Sequence, residues 1–125
     1  MKKIIIACLL ATSAASTFAE WTAFFETGTS TFYIDYESIR KEGSNRKFWY
    51  LSNAKQRQND DEGMSRLVRP EVDCKEERYR LLSNAVYSES MAGGQVLFNR
   101  SSLGPWAEIP PGTAVASMLK IVCAK

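Results

Sequence analysis

The side chains with which this chain could do chemistry are few: three cysteines, no histidine, one run of carboxylates and a scatter of arginines and lysines. Without histidine there is no imidazole to act as general base, to activate a cysteine or to complete a common zinc set. Carboxylates crowd together in Asp60-Asp61-Glu62, but general acid–base work needs them held in a cleft with displaced pKa values. A triplet between Asn59 and Gly63 has instead the composition of a solvated turn. Asp35, in YIDY, could be an inward acid, and its ordinary role is to hydrogen-bond the backbone of a following turn. Arg78 and Arg80 alternate with Tyr79 and Leu81, so both fall on the face opposite the core. They could clamp an anion, but the expectation is cross-strand pairing with acids such as Glu71 or Asp73. Trp21, Trp49 and Trp106 could form a ligand platform, although aromatics in so small a domain are expected in the core. No P-loop, GxSxG, CxxC or metal-ligand spacing is present, so no enzyme, no cofactor and no metal is expected.

Which cysteines matter depends on the compartment. The chain opens MKKIIIACLLATSAASTFAEW, with Lys2 and Lys3 as a positive start, Ile4 to Ala11 as an apolar run, and Thr17-Phe18-Ala19 as a small-x-small site. That is the layout of a secretory signal peptide over residues 1–19, cut before Glu20. The polar Thr12, Ser13 and Ser16 arrive too early for a membrane span of roughly 20 apolar residues. Cys8 follows Lys3 too closely for a lipid-attachment site and is discarded with the signal. Cys74 and Cys123 then remain in an oxidising compartment, an even number that implies one disulfide. The expected location is periplasmic, secreted or at the cell surface.

Cleavage also changes the charge. The full chain carries 16 basic and 14 acidic residues; Lys2 and Lys3 leave with the signal, and the remainder balances. A net charge near zero argues against nonspecific nucleic-acid or membrane-surface binding. Residues 20–125 suit one small domain, of a size at which a staple is useful because little surface is buried. A small-ligand carrier would need an apolar cavity that such a domain can hardly spare.

The elements follow from periodicity. Residues 21–27, 31–36, 46–54, 65–74, 79–87 and 95–99 are rich in aromatic and β-branched residues and read as about six strands. Phe32, Ile34 and Tyr36 alternate with Tyr33 and Asp35 as in a half-buried strand. Residues 37–40 are expected to form a single helical turn. Pro70 cannot donate to a ladder, which places its strand near an edge or a bulge. After PPG, Val115, Met118, Leu119, Val122 and Cys123 recur at the spacing of one helical face, with Thr113 as N-cap. The class expected is α+β, an antiparallel sheet covered by a C-terminal helix. Val72 and Cys74 share the covered face, while Asp73 and Lys75 are expected to point to water. A bridge from Cys74 to Cys123 beneath the helix encloses about 50 residues and stabilises by about 4 kcal/mol in the chain-entropy picture.

The surface around Pro70 and the loop from Lys55 to Gly63 carries Lys55, Arg57, Arg66 and Arg69 amid little apolar content. Exposed loops on a rigid scaffold are where binding concentrates, and basic groups speed encounter with acidic partners. These four are the candidate protein-binding residues; the alternative is that they only keep a loop solvated.

Several pieces fall in a telling order: Trp21, FYIDYESIRKEG, the tryptophan of FWYL, SRLVRPEVDCKEERYRLLSNAVYSE, a following GG, and W-x-x-IPPGT leading to LKIVC. This order resembles the surface-adhesin protein E family of Gram-negative bacteria, over essentially the whole of residues 20–125. The resemblance implies a six-stranded antiparallel sheet with a disulfide-held C-terminal helix. It also implies cell adhesion, an outer-surface role in binding host extracellular-matrix or serum proteins. The competing expectation is a periplasmic accessory or inhibitor protein that binds a bacterial or secreted enzyme and has no host contact.

Overall fold

Runs dense in Phe, Tyr, Trp, Val and Ile, broken by glycine-bearing turns, commit most of this chain to strands. The computed structural model describes residues 20–57 and 63–124; the expected signal segment and the acidic triplet 60–62 lie outside the described residues. Six strands pair in chain order as one antiparallel meander: β1 (Thr22–Glu26), β2 (Ser30–Glu42), β3 (Asn45–Ala54), β4 (Ser65–Asp73), β5 (Arg78–Glu89) and β6 (Gly93–Arg100). A two-residue strand, β7 (Ala107–Glu108), returns to pair with β5 opposite Arg78 and Tyr79. The helix α1 (Ala114–Cys123) follows. The α+β class and the terminal helix are those expected.

Residues 37–40 depart from expectation. β2 runs through them as strand, with an irregularity in its pairing to β3 between Asp35 and Arg40. Asp35 Oδ1 accepts from the Glu37 N–H at 3.1 Å, which is the backbone bond expected of this aspartate. Ser38 Oγ donates to the Asp35 carbonyl at 2.7 Å and accepts from the Trp49 N–H at 2.8 Å. A serine hydroxyl thus stands in for a ladder partner, and side chain rather than helical bonding satisfies the segment. Pro70 lies at a bulge in β4, between Arg69 and Pro70, but in an interior strand.

One face of the sheet is covered by α1. Ile34, Phe48 and Val72 pack with Ala114, Met118 and Val122 in one buried cluster. Val115, Leu119 and Cys123 pack partly buried against it, so the expected helical stripe is the one used. Thr113 caps the helix, its Oγ1 accepting from the Ala116 N–H at 3.2 Å. Cys74 and Cys123 are disulfide-bonded, with Cα atoms 5.7 Å apart and a sequence separation of 49. Beside that bond, the buried Arg46 donates through Nε to the Val122 carbonyl at 3.2 Å, and through Nη1 to Gly43 and Asn45 carbonyls, both at 2.9 Å. A guanidinium at the last helical turn satisfies a carbonyl that lacks an intrahelical donor and complements the helix dipole.

Asp73 corrects the sequence reading. It is buried, not solvated. Its Oδ1 accepts from the Lys75 and Glu76 N–H groups at 3.0 and 3.1 Å, and its Oδ2 from Arg78 Nε at 3.2 Å. The aspartate closes the β4–β5 turn, where Glu77 adopts φ 54°; Asx side chains favour such a role because they reach their own backbone two and three residues on.

Candidate functional site

The four basic residues singled out from the sequence are not gathered into one cluster. Lys55 pairs with Glu26 at 2.5 Å, and Arg57 Nη2 reaches both carboxylate oxygens of Glu89 at 3.0 and 3.1 Å. Arg66 and Arg69 are three apart in β4 without a bulge between them, so they project from opposite faces. Arg69 lies over the Trp49 ring at 5.8 Å. Arg66 is exposed and forms no ion pair among the described residues. It lies close enough to Tyr50 for its charge to act on the phenol. Burial nonetheless pushes that phenol up to about 12, with Tyr79 adding to the rise and Arg66 opposing it.

β6 is a terminal strand, and all but its first residue are exposed. Val96, Leu97 and Phe98 are 54, 44 and 49% exposed. Edge strands are normally blunted by charge, proline or a covering element; three consecutive apolar residues do the opposite. The hairpin that delivers β6 bends at Met91 and Ala92, both with positive φ, 57° and 59°. Two side chains from neighbouring strands hold that bend. Asn53 Oδ1 accepts from the Met91 N–H at 2.8 Å, and Ser65 Oγ accepts from the Ala92 N–H at 2.9 Å. The Gly-Gly pair belongs to β6 instead of forming the turn. Gly63, with φ +70°, lies under the same hairpin, where a Cβ would stand 2.5 Å from the Tyr87 carbonyl. Only glycine allows the β3–β4 loop to pass so near.

Between the end of β6 and β7, the connector 101–106 leaves the sheet and touches β5 through the Gly104 N–H, which donates to the Leu81 carbonyl at 2.9 Å. It walls an open groove of about 460 Å³. β5 contributes Tyr79, Arg80, Leu81, Ser83 and Asn84; β6 contributes Phe98 and Arg100; the 65% exposed Leu103 closes the outer side. No carboxylate lines it. Ser83 Oγ and Asn84 Oδ1 are shielded from solvent and neither bonds to a protein group. The sequence reading passed over this site. A surface groove takes no volume from the core, so the size argument against a ligand cavity does not reach it. The signal available was the polar pair Ser83-Asn84 inside the strand LLSNAV.

The sequence profile of the surface-adhesin protein E family matches residues 21–124, nearly all of the described domain. The chain belongs to the surface-adhesin protein E family. The adhesin E fold is also the one found among solved structures. Crystal form II of Haemophilus influenzae protein E is 18% identical, with a TM-score of 0.59 over 74% of this chain and 80% of that one. The selenomethionine form of Haemophilus influenzae protein E is 15% identical, with a TM-score of 0.59 over 86% and 95%. Protein E from non-typeable Haemophilus influenzae is 16% identical, with a TM-score of 0.58 over 86% and 79%. No curated protein matches the chain in sequence. Among the described residues, no helix of this adhesin E domain is long and apolar enough to cross a membrane, and no three His, Cys, Asp or Glu side chains gather as for a metal.

Arg78 and the groove-lining Arg80 also tie this adhesin E domain's sheet together on the face away from the helix. They pair across strands as expected, Arg78 with Asp73 at 3.2 Å and Arg80 with Glu71 at 2.7 Å. Between them sits Trp106, whose ring centroid is 4.5 Å from one guanidinium carbon and 4.3 Å from the other. Trp106 is therefore a cation–π anchor for the connector, and none of the three tryptophans is fully buried. Burial alone would raise the Glu71 carboxyl. Hydrogen bonds from Arg80 and Asn45, with the charges of Arg80 and Lys47, outweigh it and hold the group below its usual range. The Glu76 N–H is the chief cause of the lowered Asp73 pKa; burial opposes it, and Lys75 N–H and Arg78 reinforce it.

Both folded-state values are depressed, so these carboxylates stabilise the fold above the ordinary carboxylate pKa of about 4. That contribution is lost as pH falls through the lower folded values. Thermal melts should be flat from pH 7 to about 5 and fall steadily below about 4, and Glu71→Gln with Asp73→Asn should flatten the decline. An unchanged melting temperature down to pH 2 would contradict the assignment.

Proposed function

We propose that this is an exported, adhesin-type binding domain, freed of a signal segment by cleavage after Ala19, that holds an extracellular-matrix or serum protein. Family membership supports the adhesin reading. The observation that carries the surface is the run Val96-Leu97-Phe98, exposed on an edge strand with no further strand beside it among the described residues. A free edge offers backbone hydrogen bonds to an extended segment, and alternating side chains add selectivity. Arg66 lies across the sheet from this run, for Arg66 opposes Val86 and Val86 opposes Phe98. Exposed and without an ion pair among the described residues, Arg66 favours an acidic segment and fast encounter.

Two measurements test this. Val96→Asp with Leu97→Asp should weaken capture of a matrix or serum ligand at least ten-fold, about 1.4 kcal/mol or more. Alanine at Lys55, Arg57, Arg66 and Arg69 should leave the fold intact while lowering the association rate and its salt dependence. Unchanged binding in both variants would remove this surface from consideration. Protease treatment of intact cells should strip the protein. Complete protection would place it inside the envelope as an accessory or inhibitor protein without host contact, and the adhesin reading would fail.

A further inference from the structure

We propose that the groove between β5, β6 and the 101–106 connector is a binding site for an N-acylated apolar amino acid, free or as the C-terminal residue of a peptide. The argument is one of complementarity, and the groove shares only Phe98 with the protein-binding run. At about 460 Å³ the groove falls within the range of small-molecule sites, roughly 300–1,000 Å³. Its lining carries two arginines and no acid. Arg80 is occupied by Glu71, whereas Arg100 donates its Nε to Ser102 Oγ at 3.0 Å and has no ion pair among the described residues. A carboxylate is the anion whose two oxygens match the remaining donors of such a guanidinium.

The inner wall demands the opposite polarity. Asn84 directly opposes Arg100 in the β5–β6 register, and its Oδ1 is a buried acceptor with no donor. Buried polar side chains in native proteins are nearly always paired, so the orphaned Asn84 Oδ1, on the same face of the sheet as Arg100, marks where a ligand's polar atom sits. An amide N–H bonded to the same carbon chain as the carboxylate supplies the donor that Asn84 Oδ1 lacks. Phe98, Leu81 and Leu103 supply the apolar surround for a side chain of leucine or phenylalanine size. A simple fatty acid meets the arginine and the apolar wall but leaves Asn84 unsatisfied; a free amino acid would bring a charged ammonium to a groove already lined by two arginines.

The test uses the purified protein and a ligand series, so no variant need fold. N-acetyl-L-leucine, titrated into isotope-labelled protein, should shift the resonances of Asn84, Arg100 and Leu103 saturably. The carboxamide N-acetyl-L-leucinamide, and N-acetyl-N-methyl-L-leucine, which lacks the amide N–H, should each bind at least ten-fold more weakly. Arg100→Gln, at an exposed position, should reproduce the loss seen with the carboxamide. An acetylated tetrapeptide ending in leucine separates the two sources: tighter binding than N-acetyl-L-leucine points to a peptide terminus, equal or weaker binding to the free N-acyl amino acid. No saturable shift at 10 mM ligand, shifts confined to residues outside the groove, or equal affinity across the series would overturn the proposal.

Discussion

Serine in place of Cys123 should lower the melting temperature by roughly 10–25 °C, reflecting a loss of about 2–5 kcal/mol in a domain of this size. The loop closed by the bond spans 49 positions, for which the chain-entropy relation gives about 4 kcal/mol. The bond also joins the last residue of α1 to the residue just after β4, so its loss frees the helix end as well as the unfolded chain. Thermal melts of the two proteins, with and without reductant, check both parts. Reductant should bring the native protein down to the serine variant and leave the variant unmoved. A drop below about 3 °C would mean that α1 is held by packing and Arg46 alone.

Phe48→Ala should cost about 3–5 kcal/mol, the range for emptying a buried aromatic site. Phe48 is 0% exposed and sits in the cluster beneath Met118 and Val122, where the flanking sheet and the tethered helix cannot collapse into the space left. That loss is a large share of the 5–15 kcal/mol that typically separates folded from unfolded domains. Urea titration should show the midpoint fall with little change in slope. Leu97→Ala, on the exposed edge, should change the unfolding free energy by no more than about 0.5 kcal/mol. Equal effects from the two would mean that the buried cluster is not the core.

The parts of this fold that were legible in sequence are those written in periodicity. The alternation through Phe32–Tyr36 and the 3.6-residue recurrence of Val115, Met118 and Val122 each name a face, and faces name partners. The disulfide was legible for another reason, because only two cysteines follow the expected signal segment. What escaped was written in side-chain reach. Ser38 bonds twice across a strand irregularity, Asn53 and Ser65 hold a left-handed bend, and Arg46 caps a helix 76 positions away. No window of neighbouring residues contains those pairings. The groove escaped for the same reason, since its walls come from β5, β6 and a connector without regular structure. The basic residues illustrate the converse. Proximity in sequence suggested one patch, and strand alternation sent Arg66 and Arg69 to opposite faces.

The position of α1 at the end of the chain sets the order in which the protein can be completed. Every strand of the meander pairs with its immediate predecessor, so the sheet can zip up progressively as residues 22–100 become available. Its apolar face, however, is covered by residues 114–123, which are synthesised after all the strands. Until they arrive, Ile34, Phe48 and Val72 face solvent, and the second cysteine of the bond is absent. The Cys74–Cys123 bond can therefore form only once α1 has been made. The interval before it is when this chain most needs protection from aggregation.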